Sequence, residues 1–302
     1  MNKKKKIVIL VGFGTAGKRY FKAIKKKNLD LIIIRKSNKK IIYKKKNISI
    51  QSENIKKISL KNVIAVIIAT PVESHWRYLK FFLKKKIDIV IEKPVVNNKT
   101  YFFKLEKLIK KFNNNFYINH SDLYNKNLLS LVKNINFRKI YKLNFYYGNN
   151  KNKYKNKNYP TADWLPHILG IIIYFSKNIS HYKFLYFYRK VIDNLIYEKT
   201  LIKFYSKYSV SEVFFSNFPG TKLRTFTVKS NNYILNFDGL KNNNYLVSDD
   251  KKFLAKYNSR RTFDNLIDIV LSNINKKKYN DFYLLKNYFM IWNKINIELS
   301  KL

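Results

Sequence analysis

The sequence contains no cysteine, which excludes disulfide frameworks, thiolate metal sites and cysteine nucleophiles. Acidic residues are also few, with 18 Asp and Glu against 62 Lys and Arg, so the formal net charge is +44. Long apolar runs are missing too, because the longest, around Ile168–Phe175, is far shorter than the roughly 18 residues that a membrane-spanning helix needs. We therefore expect a cytoplasmic protein with no membrane partner.

Arginine is scarce within the basic set, since only eight of the 62 basic residues are arginine. A strongly basic chain can bind nucleic acid or another polyanion. Here the lysines are scattered over the whole length, apart from Lys3–Lys6, and they accompany abundant Asn, Ile, Tyr and Phe, which is typical of codon bias toward A and T. We expect no specific nucleic-acid partner, and polyanion binding stays an alternative function.

Glycine is rare as well, with seven in 302 residues, yet three of them form a G-x-G-x-x-G motif directly after the apolar run Ile7–Val11. A helical pattern follows, and strand, motif and helix in this order are typical of dinucleotide binding. The first glycine makes a tight turn, the second lets a pyrophosphate approach the backbone, and the third lets helix pack on strand. The helix amides then hold the phosphates. The predicted cofactor-binding residues here are Gly12, Phe13, Gly14, Thr15, Ala16 and Gly17.

The second predicted strand, Leu31–Ile34, ends in Arg35, Lys36 and Ser37. NAD-binding sites usually carry an acidic residue at this point, where it binds the ribose hydroxyls. Two basic residues and a hydroxyl suit a 2′-phosphate instead, and Arg35 is the more informative because arginine is rare in this chain. We predict that all three bind the cofactor and that NADP is favoured over NAD.

Two further apolar runs end in polar residues and proline. Val63–Ala69 is followed by Thr70, Pro71 and, one turn into a predicted helix, His75, whereas Ile87–Ile91 is followed by Glu92-Lys93-Pro94. Ligands of parallel sheets bind beyond the carboxyl ends of the strands. The predicted cofactor contacts from these segments are Thr70, Pro71, His75, Glu92 and Lys93. A surface ion pair before a turn proline is the alternative for Glu92-Lys93-Pro94.

Strand and helix patterns alternate from Ile7–Val11 to Phe116–Ile118, which predicts an α/β N-terminal Rossmann domain over residues 1–119. Alternating runs such as His181–Arg189 and Val210–Phe218 then predict an α+β C-terminal domain with a large, mostly antiparallel sheet. We assign substrate binding and oligomerisation to this second domain, residues 120–302. Polar residues at Asn149–Asn158 predict a loop.

Four motifs resemble those of the Gfo/Idh/MocA oxidoreductase family: GFGTAG at 12–17, ATPVESH at 69–75, EKP at 92–94, and Asp163-Trp-Leu-Pro-His167. The last motif, with His120 and Tyr124, most resembles the branch that acts on sugars or nucleotide-linked sugars. The resemblance implies hydride transfer between NAD(P) and a secondary alcohol or ketone of such a sugar, in surface-glycan biosynthesis, by a homo-oligomer (dimer or tetramer). It also implies that His120 and Tyr124 contact the substrate.

The resemblance assigns catalysis to Lys93, Asp163 and His167, and their chemistry is consistent with it. An imidazole can take the hydroxyl proton, Asp163 lies one helical turn before it and can orient it, and the lysine can stabilise negative charge on the substrate oxygen. The alternatives are a helix cap with a buried histidine for Asp163 and His167, a structural ion pair for Lys93, and packing roles for His120 and Tyr124.

Two departures from the family pattern affect the cofactor and substrate contacts. Val72 stands where the family often has Asn, and Ile168 follows His167 where this branch usually has Asp. These departures bear on the identity of the substrate more than on the chemistry. A catalytically inactive relative that binds NAD(P) and acts as a sensor or partner subunit is an alternative function. Without cysteine or clustered His and carboxylate ligands, we predict no metal site.

Overall fold

The structure is a computed structural model that describes residues 6–27, 29–35, 48–51, 55–133, 140–148, 154, 159–241, 244–248, 251–255, 262–274 and 279–302. The chain forms two compact units. The first combines Met1–Asn119 with Phe263–Tyr283, and the second combines His120–Thr262 with Leu284–Leu302.

The first unit contains a six-stranded parallel sheet with strand order β3-β2-β1-β4-β5-β6. Its inner strands are nearly continuous apolar runs because helices cover both faces of such a sheet. The chain order reverses between β1 and β4, the point at which α/β sheets bind ligands. The elements are β1 (Ile7–Val11), α1 (Thr15–Lys25), β2 (Asp30–Ile34), β3 (Ile48–Gln51), β4 (Val63–Ile68), α2 (Val72–Leu83), β5 (Asp88–Ile91), α3 (Lys99–Phe112) and β6 (Phe116–Ile118), with a 3₁₀ turn at Ile55–Lys57.

The second unit contains an eight-stranded sheet with strand order β14-β13-β12-β11-β7-β10-β9-β8. Only the β7–β10 pair is parallel among its described strand pairs, which confirms the predicted, mostly antiparallel sheet. The strands are β7 (Ile140–Gly148), β8 (His181–Ile192), β9 (Leu195–Tyr205), β10 (Val210–Ser216), β11 (Arg224–Ser230), β12 (Tyr233–Asp238), β13 (Tyr245–Ser248) and β14 (Lys251–Leu254). The helices are α4 (Lys126–Val132) and α5 (Pro160–Ser176), after a 3₁₀ turn at Ser121–Tyr124.

The two C-terminal helices, α6 (Thr262–Asn273) and α7 (Phe282–Lys301), are divided between the units. Phe263–Tyr283 groups with the first unit, whereas the sequence pattern predicts it to be part of the second domain. The reason is a set of contacts with the end of α1: Lys26 pairs with Asp264, Lys27 pairs with Asp268, and the rings of Tyr20 and Phe263 lie 4.7 Å apart.

Helix α5 is the most apolar helix of the second unit, and it packs against β7, β9 and β10. Most of its side chains are buried, including Leu169, Ile172 and Ile173. In the part of the chain that the structure describes, no helix is both long and apolar enough to cross a membrane. The apolar character of α5 therefore reflects packing on the sheet.

Candidate active site

Two of the three motif glycines are required by packing. A Cβ at Gly12, where φ is +93°, would lie 2.6 Å from the carbonyl oxygen of Ala69, and a Cβ at Gly17 would lie 2.3 Å from the carbonyl oxygen of Gly12. Both distances are too short for any side chain. Gly14 differs, because a Cβ there would meet nothing within 4 Å. Gly12 and Gly17 thus bring β1, β4 and α1 together, while Gly14 leaves its surface open.

Helix α1 begins at this open surface. Gly14 is its N-cap residue and supplies no side-chain hydrogen bond, and the first turn contains no acidic residue. The first intrahelical bond runs from the Lys18 amide to the Gly14 carbonyl at 2.9 Å. The amides of Thr15, Ala16 and Gly17 consequently have no acceptor within the helix and point toward its positive end. This is the arrangement that binds phosphate groups.

A cavity of about 570 Å³ lies at the carboxyl ends of β1, β2 and β4. Six of the predicted cofactor-binding residues line it, whereas Lys36 and Ser37 lie outside the described residues. The lining consists of Gly12, Phe13, Gly14, Ile34, Arg35, Ala69, Thr70, Pro71, Glu73, Ser74 and Tyr78. The open glycine, the uncapped helix and the cavity together fit a dinucleotide.

Glu73 and Ser74 were not predicted to belong to this cavity. Ser74 donates a hydrogen bond from its hydroxyl to Thr70 Oγ1 at 2.8 Å, so it orders the loop after β4. The sequence could have indicated that they line the cavity, because both residues lie in the first turn of α2, shortly after Thr70 and Pro71.

His75 does not line the cavity, since its side chain is only 1% exposed. Nε2 lies 2.8 Å from the Thr70 carbonyl and Nδ1 lies 3.1 Å from the Val95 carbonyl. A neutral imidazole has one N–H, so only one of the two carbonyls can accept a hydrogen bond from it. Burial lowers the pKa of His75. The ring links the loop after β4 to the segment that follows Pro94.

Glu92 lies at the end of β5 and accepts a hydrogen bond from Asn119 Nδ2 at 2.6 Å. Burial raises the pKa of Glu92, and the hydrogen bond from Asn119 opposes the shift. Lys93 is half-buried, and the Lys93–Pro94 peptide bond is cis. Glu92 is therefore held in place by a neighbouring side chain of the first unit, Asn119.

In the second unit, Asp163 and His167 lie one turn apart in the first half of α5, and both are half-buried. Asp163 Oδ2 accepts a hydrogen bond from the Tyr154 hydroxyl at 2.8 Å. The His167 ring lies 6.0 Å from the Trp164 ring and 6.5 Å from the His120 ring, measured between centroids. The helix thus presents a carboxylate and an imidazole in an aromatic environment.

His120 and Tyr124 are deeply buried, with 1% and 3% exposure. Nε2 of His120 lies 3.4 Å from the Tyr288 hydroxyl. On the other side, a Cβ added at Gly170 would lie 2.6 Å from His120 Nδ1. This burial favours the packing alternative for both residues.

A buried polar cluster beside them was not predicted. Arg224 donates to Asp122, at 3.1 Å from Nε and 2.8 Å from Nη2, and the Tyr147 hydroxyl donates to Asp122 at 2.7 Å. Burial and the Asp122 charge raise the pKa of Tyr147. The rarity of arginine in this chain was a signal that Arg224 has a specific partner.

The sequence model described as "Oxidoreductase family, NAD-binding Rossmann fold", the Gfo/Idh/MocA family, matches residues 6–120. No curated protein matches the chain. Solved structures share its fold over nearly the full length. UDP-N-acetylglucosamine 3-dehydrogenase GnnA from Acidithiobacillus ferrooxidans has a TM-score of 0.79 at 12% identity, with 99% of each chain covered.

Two other structures show how widely this fold is used. A Gfo/Idh/MocA family oxidoreductase from Vibrio cholerae has a TM-score of 0.75 at 14% identity, covering 98% of this chain and 99% of its own. Biliverdin reductase from Synechocystis sp. PCC 6803 has a TM-score of 0.68 at 14% identity, covering 94% and 97%. At such identities the likeness concerns the fold alone.

Proposed function

We propose that this protein transfers a hydride between NAD(P) and a secondary alcohol or ketone of a sugar or nucleotide-sugar. The proposal starts from the match of residues 6–120 to the Gfo/Idh/MocA family of NAD-binding oxidoreductases. The observation that carries the proposal is the cofactor cavity, in which Gly14 faces open space beside the uncapped start of α1. We further propose that the protein acts in the cytoplasm, in surface-glycan biosynthesis.

The nicotinamide, when bound, accepts or supplies the hydride. We propose that His167 takes the hydroxyl proton and returns it in the reverse direction, and that Asp163 orients the imidazole. Lys93 stabilises negative charge on the substrate oxygen. The amides at the start of α1 bind the pyrophosphate.

The first experiment measures binding and turnover separately. Titration with NADPH and NADH, followed by quenching of intrinsic fluorescence, gives the two dissociation constants. Absorbance at 340 nm then reports turnover with a panel of sugars, UDP-N-acetylglucosamine and biliverdin. We expect NADPH binding and oxidation of a sugar or nucleotide-sugar. Binding without turnover on any compound supports the inactive sensor or partner subunit instead, and absence of binding overturns both.

The second experiment tests the catalytic assignment. Replacing His167 or Lys93 with Ala should lower turnover by roughly 10²–10⁴-fold, the usual contribution of a positioned acid or base. The dissociation constant for NADPH should change little in His167→Ala. Turnover close to wild type in both variants would overturn the assignment of these residues.

We propose that cofactor preference depends on Arg35, which lines the cavity at the end of β2, and on Lys36 and Ser37, the next two residues of the sequence. We propose that this segment binds the 2′-phosphate of NADP. A charge-assisted hydrogen bond of about 1.5–3 kcal/mol predicts that Arg35→Ala weakens NADPH binding roughly ten- to hundredfold. NADH binding serves as the internal control and should stay unchanged. Equal losses for both cofactors would contradict the NADP assignment.

We also propose that the protein is a homo-oligomer that associates through the open face of the eight-stranded sheet. Tyr186, Leu201, Phe214 and Tyr146 are successive cross-strand neighbours, so they form one apolar row on this face. Both tyrosines are 48% exposed. Light scattering after gel filtration should give a dimer or tetramer, and Tyr146→Lys should dissociate it. A wild-type monomer at micromolar concentration would contradict this proposal.

A further inference from the structure

Tyr154 is a buried tyrosine that none of the motifs includes. It lies within the segment Asn149–Asn158, which the sequence predicts to be a polar loop, yet its side chain is only 4% exposed. Its hydroxyl donates a hydrogen bond to Asp163 Oδ2 at 2.8 Å. Its carbonyl accepts a hydrogen bond from the Ile196 amide at 2.9 Å, so its backbone is attached to the start of β9.

We propose that Tyr154 is a positioning residue for Asp163: its hydroxyl donates to one carboxylate oxygen and stabilises the charged form of the carboxylate. The charged carboxylate is the form that orients the imidazole of His167 in the proposed function. The role of this contact in catalysis rests on the proposed function. The contact itself is a property of the second unit alone.

The hydroxyl is suited to this role because it remains a donor. Burial raises the pKa of Tyr154, and the neighbouring Asp163 charge raises it further. The phenol therefore keeps its proton over the range in which the carboxylate ionises. A hydrogen bond to a carboxylate favours its charged form.

The neighbouring carboxylate of Glu198 is bound by other partners. Glu198 on β9 accepts from the Thr161 amide at 2.8 Å and is paired with Arg189 on β8. Its charge adds to the effects on Tyr154. His167 follows Asp163 by one turn on the same helix. Among the described residues, the Tyr154 hydroxyl thus contacts the Asp163 carboxylate, whereas Glu198 binds a backbone amide of the same helical turn.

The direct test measures Asp163 itself and needs no substrate. The protein is labelled with ¹³C at aspartate Cγ, the Asp163 signal is assigned with an Asp163→Asn variant, and the carboxyl pKa is read from a pH titration. In Tyr154→Phe we expect this pKa to rise by about one unit, because a hydrogen bond to the charged form is lost. An unchanged pKa in folded Tyr154→Phe overturns the proposal.

A second variant covers the case in which Tyr154→Phe does not fold. Site-specific 3-fluorotyrosine at position 154 keeps the hydroxyl and makes it a stronger donor, so the Asp163 pKa should fall. No fall overturns the proposal. The matched control is Tyr182→Phe, which removes a hydroxyl that lies beside the Glu298 carboxyl in the same unit. This control should leave the Asp163 pKa unchanged, and a shift equal to that of Tyr154→Phe overturns the specific role.

Turnover links the contact to catalysis. With NADP⁺ and UDP-N-acetylglucosamine as the probe, the acid limb of kcat/KM has two breaks, and the lower one belongs to Asp163 because a carboxyl group ordinarily ionises below an imidazole. In Tyr154→Phe this lower break should move upward by the same amount as the Asp163 pKa, with NADPH affinity unchanged. An unmoved acid limb overturns the catalytic part of the proposal. If the wild type shows no turnover on the whole panel, the proposed function fails, and the NMR titration still decides whether Tyr154 positions Asp163.

Discussion

Arg189 and Glu198 form a buried cross-strand ion pair between β8 and β9. The guanidinium donates to Glu198 Oε1 at 2.9 Å from Nε and 2.7 Å from Nη2, and Glu198 has no exposed surface. Oε2 of the same carboxylate accepts from the Thr161 amide at 2.8 Å. Arg189 also donates to the Leu299 carbonyl at 2.8 Å. The pair therefore joins two strands to the start of α5 and the end of α7.

We predict that Arg189→Ala lowers the free energy of unfolding by about 3–5 kcal/mol, because it leaves a buried carboxylate without its counter-charge. Urea unfolding followed by circular dichroism measures the change. Lys142→Ala is the control, since its pairing with Glu212 lies on the surface and such pairs contribute about 0–1 kcal/mol. Equal losses in the two variants would contradict the buried-pair argument.

Gly14→Ala and Gly17→Ala should separate cofactor binding from folding. Gly14 has φ −73° and open space around its missing Cβ, so Ala should change stability by less than about 1 kcal/mol while it weakens NADPH binding. Gly17→Ala places a Cβ 2.3 Å from a backbone oxygen and should destabilise the first unit. Thermal unfolding and NADPH titration give both quantities. Unchanged NADPH affinity in Gly14→Ala would contradict the binding role of the glycine loop.

His75 should make stability depend on pH. Burial lowers its pKa in the folded chain below the ordinary value of 6.5, so the unfolded chain binds a proton more readily between those two pKa values. Stability is therefore present above about pH 6.5 and is lost as the pH falls toward the lowered pKa. Urea unfolding between about pH 5 and 7 should show a smaller slope in His75→Gln than in wild type. An identical slope would show that burial does not oppose protonation of this ring.

Gly170→Ala should disturb His120, because the added Cβ would lie 2.6 Å from Nδ1 of that ring. The ring is held on its other side by Tyr288, so it has little room to move. Overpacking of this kind costs about 1–3 kcal/mol. The free energy of unfolding and the NMR signal of His120 measure the effect. The reference variant is Ala162→Gly, which changes another residue of α5 and should lower the free energy of unfolding by about 1 kcal/mol. Gly220→Ala is a poor control, because the φ of Gly220 is +80°.

The sequence predicted the first sheet closely because its strands are buried on both faces. Ile7–Val11 and Phe116–Ile118 were predicted with the bounds that the structure has, and β4 and β5 within one residue. The second sheet was harder, and β9 was not predicted. Its outward residues include tyrosines, lysines and leucines, which mask the alternation. The Asp193-Asn194 turn before it, with both φ values positive, was the local signal of a hairpin.

Site residues were predictable where the backbone geometry demands a particular residue type. Gly12 and Gly17 leave no room for a side chain, and the order of strand, glycine loop and helix is visible in the sequence. Burial was not predictable in the same way. His75, His120 and Tyr124 stand in motifs that suggest exposure to ligands, yet each is at most 3% exposed.

The class of both folds and the dinucleotide motif could be read from the sequence, because apolar periodicity and glycine spacing are local properties of the chain. Tertiary structure decided which side chains meet across long separations. Tyr154 reaches Asp163, Arg189 reaches Glu198 and Leu299, and α6 joins the first unit through Lys26 and Lys27. Such contacts depend on how strands pair and how helices pack, and no local pattern encodes the partner.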